Sequence, residues 1–97
     1  MLEAIVASGR TDSFAHYALA MEYRKLGRTR EALDGFAQLR KRDPDYLPTY
    51  QMAAQLLAEL ERSDEARPWL EAGIDLARRV GNVKTASELE QALDGLS

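Results

Sequence analysis

The hydrophobic and polar positions of this chain alternate with a helical spacing. Within residues 16–23 and again within residues 50–57, apolar or aromatic side chains recur three and four positions apart, so each set spans about 100° of a helix. β-Branched residues are sparse and never form a run, which argues against a sheet. The pattern predicts an all-α fold, with helices near residues 2–8, 13–26, 30–42, 47–60, 64–80 and 83–94.

The same pattern recurs after 34 residues. Large and small side chains return at matching places in residues 13–46 and residues 47–80. The matching pairs are His16 with Tyr50, Leu19 with Ala53, Ala20 with Ala54, Tyr23 with Leu57, Ala32 with Ala66, Phe36 with Leu70, and Leu39 with Gly73. A fixed period of this length indicates a stack of similar structural units, here one helix pair in each.

Turn-forming residues separate the predicted helices. Gly27 can take positive φ after the first helix, and Thr29 is then placed to cap the second, as Ser63 is in the next unit. Asp12 can cap the first helix of the first unit. The second helix is expected to end at Asp43-Pro44, because proline disfavours helix at the residue before it.

The two ends of the chain differ from the repeated units. Residues 1–12 predict a short N-terminal helix and a linker, with Leu2, Ile5 and Val6 as its apolar side. After Gly81-Asn82, residues 81–97 predict a capping helix. Its apolar face is Val83, Ala86, Leu89, Leu93 and Leu96, and its charged face is Lys84, Glu88, Glu90 and Asp94. All these elements are expected to form a single domain over residues 1–97.

Residues 13–46 contain a characteristic series of residue types. In chain order, these are an aromatic or large residue, Leu-Ala, Tyr, Gly, Glu-Ala-Leu, Phe, Leu and Asp-Pro. This order resembles the tetratricopeptide repeat. Residues 47–80 match less closely, because Glu61 stands at the loop glycine, Gly73 at a core position, and no proline closes the unit. The resemblance implies an α-α superhelix (solenoid) of antiparallel helix pairs. It also implies that the first helices line a concave groove for a peptide segment or helix.

The residues beside the buried stripe of the first helices are the candidate binding residues. They are Phe14, Tyr17, Met21 and Arg24 in the first unit, and Gln51, Met52 and Gln55 in the second. Aromatic and methionine side chains give adaptable apolar contact, amides can pair with peptide backbone, and Arg24 is the only charge. We therefore expect an apolar ligand with some acidic character. In the alternative interpretation, Tyr17 and Met21 only pack on a neighbouring helix.

One branch of the resembled family binds the C-terminal carboxylate of chaperone tails with lysine, asparagine and arginine side chains in this groove. The corresponding places here hold Tyr17, Met21, Met52, Asn82 and Ala86. The sequence therefore disfavours a co-chaperone role of that kind.

Composition narrows the function classes further. The chain has no cysteine, His16 is its only histidine, and its glycines occur singly, so we predict no metal site, no cofactor and no catalysis. The net charge is −3 and acids lie among the basic residues, which disfavours nucleic acid as a partner. No segment approaches 18 consecutive apolar residues, so we expect a cytoplasmic protein without a membrane anchor.

Two functional hypotheses follow from the sequence. The first is a non-enzymatic adaptor or scaffold whose groove binds a peptide segment or helix of a protein partner. The second is a structural protein that forms a homodimer through apolar end surfaces, around Leu2, Ile5 and Val6 or around Leu93 and Leu96.

Overall fold

The computed structural model describes residues 12–96, and all regular structure in that range is α-helical. The helices are α1 (Ser13–Lys25), α2 (Thr29–Arg42), α3 (Leu47–Glu59), α4 (Ser63–Arg79) and α5 (Val83–Asp94). Each bound lies within one residue of the position predicted from the sequence. The helix predicted at residues 2–8 falls outside the described residues.

The chain divides into two compact units at the bond between Thr49 and Tyr50, within the first turn of α3. In unit 1, α1 packs on α2, and a Cβ placed on Gly35 would lie 3.1 Å from the Cβ of Ala20. This close approach requires small residues on both helices. The buried apolar residues of unit 1 are Ala20, Ala32, Phe36 and Leu39.

Unit 2 contains the rest of α3 together with α4 and α5. Its buried apolar residues are Tyr50, Ala53, Ala54, Leu56, Leu57, Ala66, Leu70, Ile74, Leu76, Ala77, Ala86 and Leu89. A Cβ at Gly73 would lie 2.9 Å from the Cβ of Tyr50 and 3.0 Å from Cδ1 of Leu89, closer than packed carbon atoms come. Glycine at this core position therefore makes room for Tyr50, whose ring packs edge-on against Trp69 at a centroid distance of 5.9 Å.

Three of the loops close in the same way. After α1, α3 and α4, a backbone N–H reaches back five residues to a helix carbonyl at 2.8 to 2.9 Å. The residue before that N–H has positive φ in each case, and the three residues are Gly27, Glu61 and Gly81. This combination is the Schellman ending of a helix, which favours glycine at the positive-φ position.

The predicted helix caps at Thr29 and Ser63 are wrong. Both residues are the first residue of a helix, and Arg28 and Arg62 occupy the cap positions without a side-chain capping bond. The Schellman loop is one residue shorter than the sequence predicts. The following helices therefore begin at Thr29 and Ser63, one residue earlier than predicted. At the second cap, the Arg62 guanidinium donates to both carboxylate oxygens of Glu65, at 2.5 and 2.6 Å, and lowers the pKa of that carboxyl.

Two helices do begin with a side-chain cap. The carboxylate of Asp12 accepts the N–H of Ala15 at 2.9 Å, which confirms the predicted cap of α1. The amide oxygen of Asn82 accepts the N–H of Thr85 at 3.1 Å and starts α5 directly after the Schellman loop. Each bond satisfies a backbone donor that the first turn leaves without a helical partner.

Glu61 provides a direct test of backbone strain. Its φ of 59° is unfavourable for a residue with a Cβ, so Glu61→Gly is expected to raise the free energy of unfolding by about 0.5 to 1 kcal/mol. The reverse change at the equivalent loop, Gly27→Glu, should lower the free energy of unfolding by a similar amount. No atom lies within 4 Å of a Cβ placed on Gly27, so the positive φ is the only source of strain. Urea denaturation followed by circular dichroism measures both, and equal stability of all three proteins would contradict the strain.

Candidate functional site

The α1 face of unit 1 contains four of the predicted binding residues. Tyr17 is half-buried, and its ring centroid lies 6.2 Å from that of Phe36 and 5.7 Å from that of Tyr46. Burial raises the pKa of the Tyr17 hydroxyl, Tyr46 adds to the rise, and Arg24 opposes it. Tyr17 is thus part of the aromatic packing of unit 1, and its predicted role in binding stays a prediction.

The other three residues of the α1 face differ in exposure. Phe14 leaves 65% of its surface exposed, which is unusual for so large an apolar side chain. Met21 and Arg24 are half-buried. The α1 face therefore offers one exposed ring beside two partly covered flexible side chains.

Unit 2 has an apolar pocket between α3 and α5, with α4 beneath it. The pocket has a volume of about 250 Å³. Its apolar lining is Ala54, Ala58, Leu70, Leu89, Ala92 and Leu96, and its polar lining is Gln51, Gln55 and Glu88. Two of the three predicted binding residues of this unit thus line the pocket, and Met52 does not.

The size and lining of the unit 2 pocket limit what it can hold. Alanine at positions 54, 58 and 92 leaves the space open, while Leu70 and Leu89 are buried and close its base. Small-molecule sites usually measure about 300 to 1,000 Å³, so this pocket is closer in size to one or two apolar side chains. Its polar atoms are two amides and a carboxylate, which can bind backbone groups or a cation.

The α5 side of the unit 2 pocket was not predicted from the sequence. The sequence predicts Glu88 on the solvent-facing side of the capping helix, and Glu88 is exposed; it predicts Leu96 on the buried face, and Leu96 is half-buried. In the structure Glu88, Ala92 and Leu96, each four residues after the last, line the pocket together. The sequence does contain one signal for the α5 side of the pocket, which is the helical spacing of small and apolar residues beside Glu88.

Val83 was predicted to lie on the buried face of α5, and this is wrong. It is 78% exposed, because it is the first residue of the helix and immediately follows the loop. Val80, the last residue before that loop's glycine, is also 60% exposed. The α4–α5 loop therefore carries two exposed valines close together in sequence.

Two further grooves are more polar. One, in unit 1, has a volume of about 310 Å³ and is lined by residues that include His16, Asp34 and Arg42. The other, in unit 2 between α4 and α5, measures about 610 Å³, and we call it the acidic groove. It is lined by Glu71, Ile74, Asp75, Arg78, Glu90, Leu93 and Asp94, and Arg78 donates to Glu90 across it.

His16 provides a prediction about pH. Burial lowers the pKa of its imidazole, the charge of Arg42 lowers it further, and Asp12 opposes both. The proton titration of its ring followed by NMR should give a midpoint below 6.5, and Arg42→Gln should raise the midpoint while the exposed Lys41→Gln leaves it unchanged. A midpoint at or above 6.5 would contradict the burial.

The depressed pKa of His16 also sets the sign of its effect on stability. The unfolded chain binds more protons at this residue between the folded and unfolded pKa values, so stability rises with pH there. The contribution of His16 is complete above about 6.5 and is lost as the pH falls through the folded pKa.

Within residues 12–96 no group of three or more histidine or carboxylate side chains is arranged to hold a metal ion. In the same part of the chain, no helix has both the length and the apolar character needed to cross a bilayer. The predicted absence of a metal, a cofactor and catalysis stays a prediction.

The repeated pairs of antiparallel helices, closed by equivalent loops 34 residues apart, define a helical-repeat protein. The family model described as "Tetratricopeptide repeat" matches residues 47–79. None of the curated proteins matches the chain.

Two solved structures extend the likeness over most of the chain. The solution NMR structure of a tetratricopeptide repeat domain protein from Salinibacter ruber is 40% identical with a TM-score of 0.80, over 84% of this chain and 83% of that one. The crystal structure of the tetratricopeptide repeat domain protein from Salinibacter ruber is 39% identical with a TM-score of 0.79, over 90% of this chain and 100% of that one. The chain belongs to the tetratricopeptide repeat family, whose domains are generally protein–protein interaction modules.

Proposed function

We propose that this chain is a non-enzymatic interaction module that binds a peptide segment of a partner protein in the unit 2 pocket. The observation that carries the proposal is the lining of that pocket, where an apolar base lies beside the amides of Gln51 and Gln55. An apolar base favours burial of a side chain, and amides can donate to and accept from peptide backbone. The family's general role in protein binding agrees with this.

A selection from a random-peptide phage library on the immobilised full chain tests the proposal. Peptides enriched on the chain should lose binding to Ala92→Phe, because the added ring fills the pocket from its α5 wall. The matched control is Gln91→Phe, which adds the same ring at the neighbouring exposed position outside the pocket lining. Retained binding by Ala92→Phe, with circular dichroism showing both variants folded, would contradict the proposal.

The α1 face of unit 1 is proposed as a separate contact surface. Phe14 is its most suitable probe, because its ring is exposed, whereas Tyr17 packs on Phe36 and Tyr46. Phe14→Ala should weaken binding of a partner that uses this face while leaving stability within about 0.5 kcal/mol. Replacement of Tyr17 would test packing and binding together.

Self-association is the second candidate function. The exposed Val80 and Val83 of unit 2 favour it, since both are apolar side chains exposed at the ends of one loop, where a second copy can bury them. Sedimentation velocity separates the two functions. A dimer that Val83→Ser converts to monomer would support self-association, and a monomer at micromolar concentration would oppose it. The predicted cytoplasmic location stays a prediction.

A further inference from the structure

The only charge in the lining of the unit 2 pocket is negative. Its only ionisable lining residue is Glu88 on α5. On the α3 side, the amide of Gln55 donates to the carboxylate of Glu59 at 3.5 Å, which places a second acid beside the pocket. An apolar pocket with a carboxylate on either side suits a ligand that carries positive charge next to an apolar side chain.

The charge of the whole unit points the same way. Residues 50–96 contain nine Asp and Glu against five Lys and Arg, a net charge of −4, whereas residues 12–49 contain six against seven. The field of unit 2 therefore attracts cationic segments and repels acidic ones. This reverses, for unit 2, the acidic ligand that Arg24 suggested in the sequence.

The two amides also indicate the conformation of the ligand. Gln51 and Gln55 are four residues apart on α3, which is a rise of about 6 Å along the helix. In an extended peptide, backbone groups that face one side recur every second residue, about 6.4 to 6.8 Å apart. The two spacings agree closely enough for both amides to bind one extended strand. A helical ligand has already satisfied its backbone groups and would leave these amides without that role.

We propose that the unit 2 pocket binds an extended peptide segment with an apolar side chain seated in the pocket and a lysine or arginine beside it against Glu88. This inference rests on the proposed function and names the class of its partner. Leu70 and Leu89 contact the apolar side chain, Gln51 and Gln55 bind the backbone, and Glu88 selects the cation.

The test uses the peptides enriched on the full chain in the phage selection. Their sequences should be enriched in Lys and Arg next to Leu, Ile, Met or Phe. A synthetic peptide of that kind, labelled with fluorescein, should bind Glu88→Lys about tenfold or more weakly than the unchanged chain by fluorescence anisotropy. Asp94→Lys is the matched control, because it makes the same charge change at an exposed α5 residue outside the pocket lining, and it should weaken binding much less.

Exchanging the charges of the peptide and of residue 88 tests whether the two side chains contact each other. The same peptide with its Lys or Arg replaced by Glu should bind the unchanged chain poorly and regain affinity for Glu88→Lys. Transferred nuclear Overhauser effects report the bound conformation, and strong contacts between each Hα and the next amide proton are expected for an extended strand. Strong contacts between successive amide protons would indicate a helix and overturn the extended conformation.

Failure of the inference differs from failure of the proposed function. Enriched peptides that are acidic or uncharged, or that bind Glu88→Lys as well as the unchanged chain, overturn the inference but leave the function intact if Ala92→Phe abolishes binding. Failure to enrich any peptide that depends on Ala92 overturns both. A dimer that Ala92→Phe dissociates would show that a second copy occupies the pocket, and would also overturn the inference.

Discussion

Phe36→Ala is expected to lower the free energy of unfolding by about 3 to 5 kcal/mol, the range for truncating a buried phenylalanine. Phe36 is completely buried on α2, and the ring of Tyr17 packs against it. Small domains are stable by about 5 to 15 kcal/mol, so this one change should remove much of the total. Urea denaturation followed by circular dichroism measures the loss.

The chain supplies a matched control for Phe36→Ala. Phe14→Ala removes the same side chain from α1, where 65% of it is exposed, and it should change stability by less than about 0.5 kcal/mol. If Phe36→Ala does not fold, Phe36→Leu leaves a smaller cavity and should show an intermediate loss. Equal losses for Phe14→Ala and Phe36→Ala would contradict the assignment of the core.

Leu70→Ala is expected to cost about 2 to 5 kcal/mol. Leu70 stands 34 residues after Phe36, at the equivalent position of unit 2, and is 3% exposed. The single tryptophan, Trp69, packs on Tyr50 within the same unit, so its fluorescence reports the unfolding of unit 2 directly. Urea denaturation followed by this fluorescence should show a large shift of the midpoint.

Glu59→Ala is the surface control for Leu70→Ala. Glu59 is exposed at the end of α3, and its replacement should change stability by less than about 0.5 kcal/mol. Similar midpoints for the two variants would show that the 34-residue register has been assigned incorrectly.

The helices could be predicted because two independent signals agree on them. The spacing of Ala20, Ala32, Phe36 and their equivalents fixes which face is buried, and the period of 34 fixes the equivalence. The helix-ending residues Gly27 and Asp43-Pro44 then limit where the helices stop. These are local properties of the backbone and side chains, which is why the bounds were correct to one residue.

The loop details were harder to predict because backbone closure decided them. The positive φ of Glu61 follows from the same Schellman bonds that form at Gly27 and Gly81, although glutamate does not favour that conformation. The capping role expected of Thr29 and Ser63 failed for the same reason, since the closure places an arginine at the cap. Residue preferences alone therefore do not predict the positive φ of Glu61 or which residues occupy the cap positions.

The candidate site could be predicted only in part. Helical angle predicts Gln51 and Gln55, which line the unit 2 pocket, and Tyr17, which is half-buried and packs on Phe36 and Tyr46; a binding role for each stays a prediction. The pocket exists because α5 faces α3 across small residues, and such a tertiary contact leaves little trace in the sequence of either helix. The sequence therefore predicts correctly that Glu88 is exposed to solvent, but it does not predict that Glu88 lies beside the pocket.

Whether the unit 2 pocket binds a peptide is measured directly by a titration followed by two-dimensional proton–nitrogen NMR. A basic peptide enriched in the phage selection would be added to the full chain labelled with ¹⁵N. The side-chain amide signals of Gln51 and Gln55 and the backbone signals of Glu88 and Ala92 are expected to shift most. Shifts confined to residues of the acidic groove, such as Glu71 and Asp75, with Gln51 and Gln55 unchanged, would contradict binding in the unit 2 pocket.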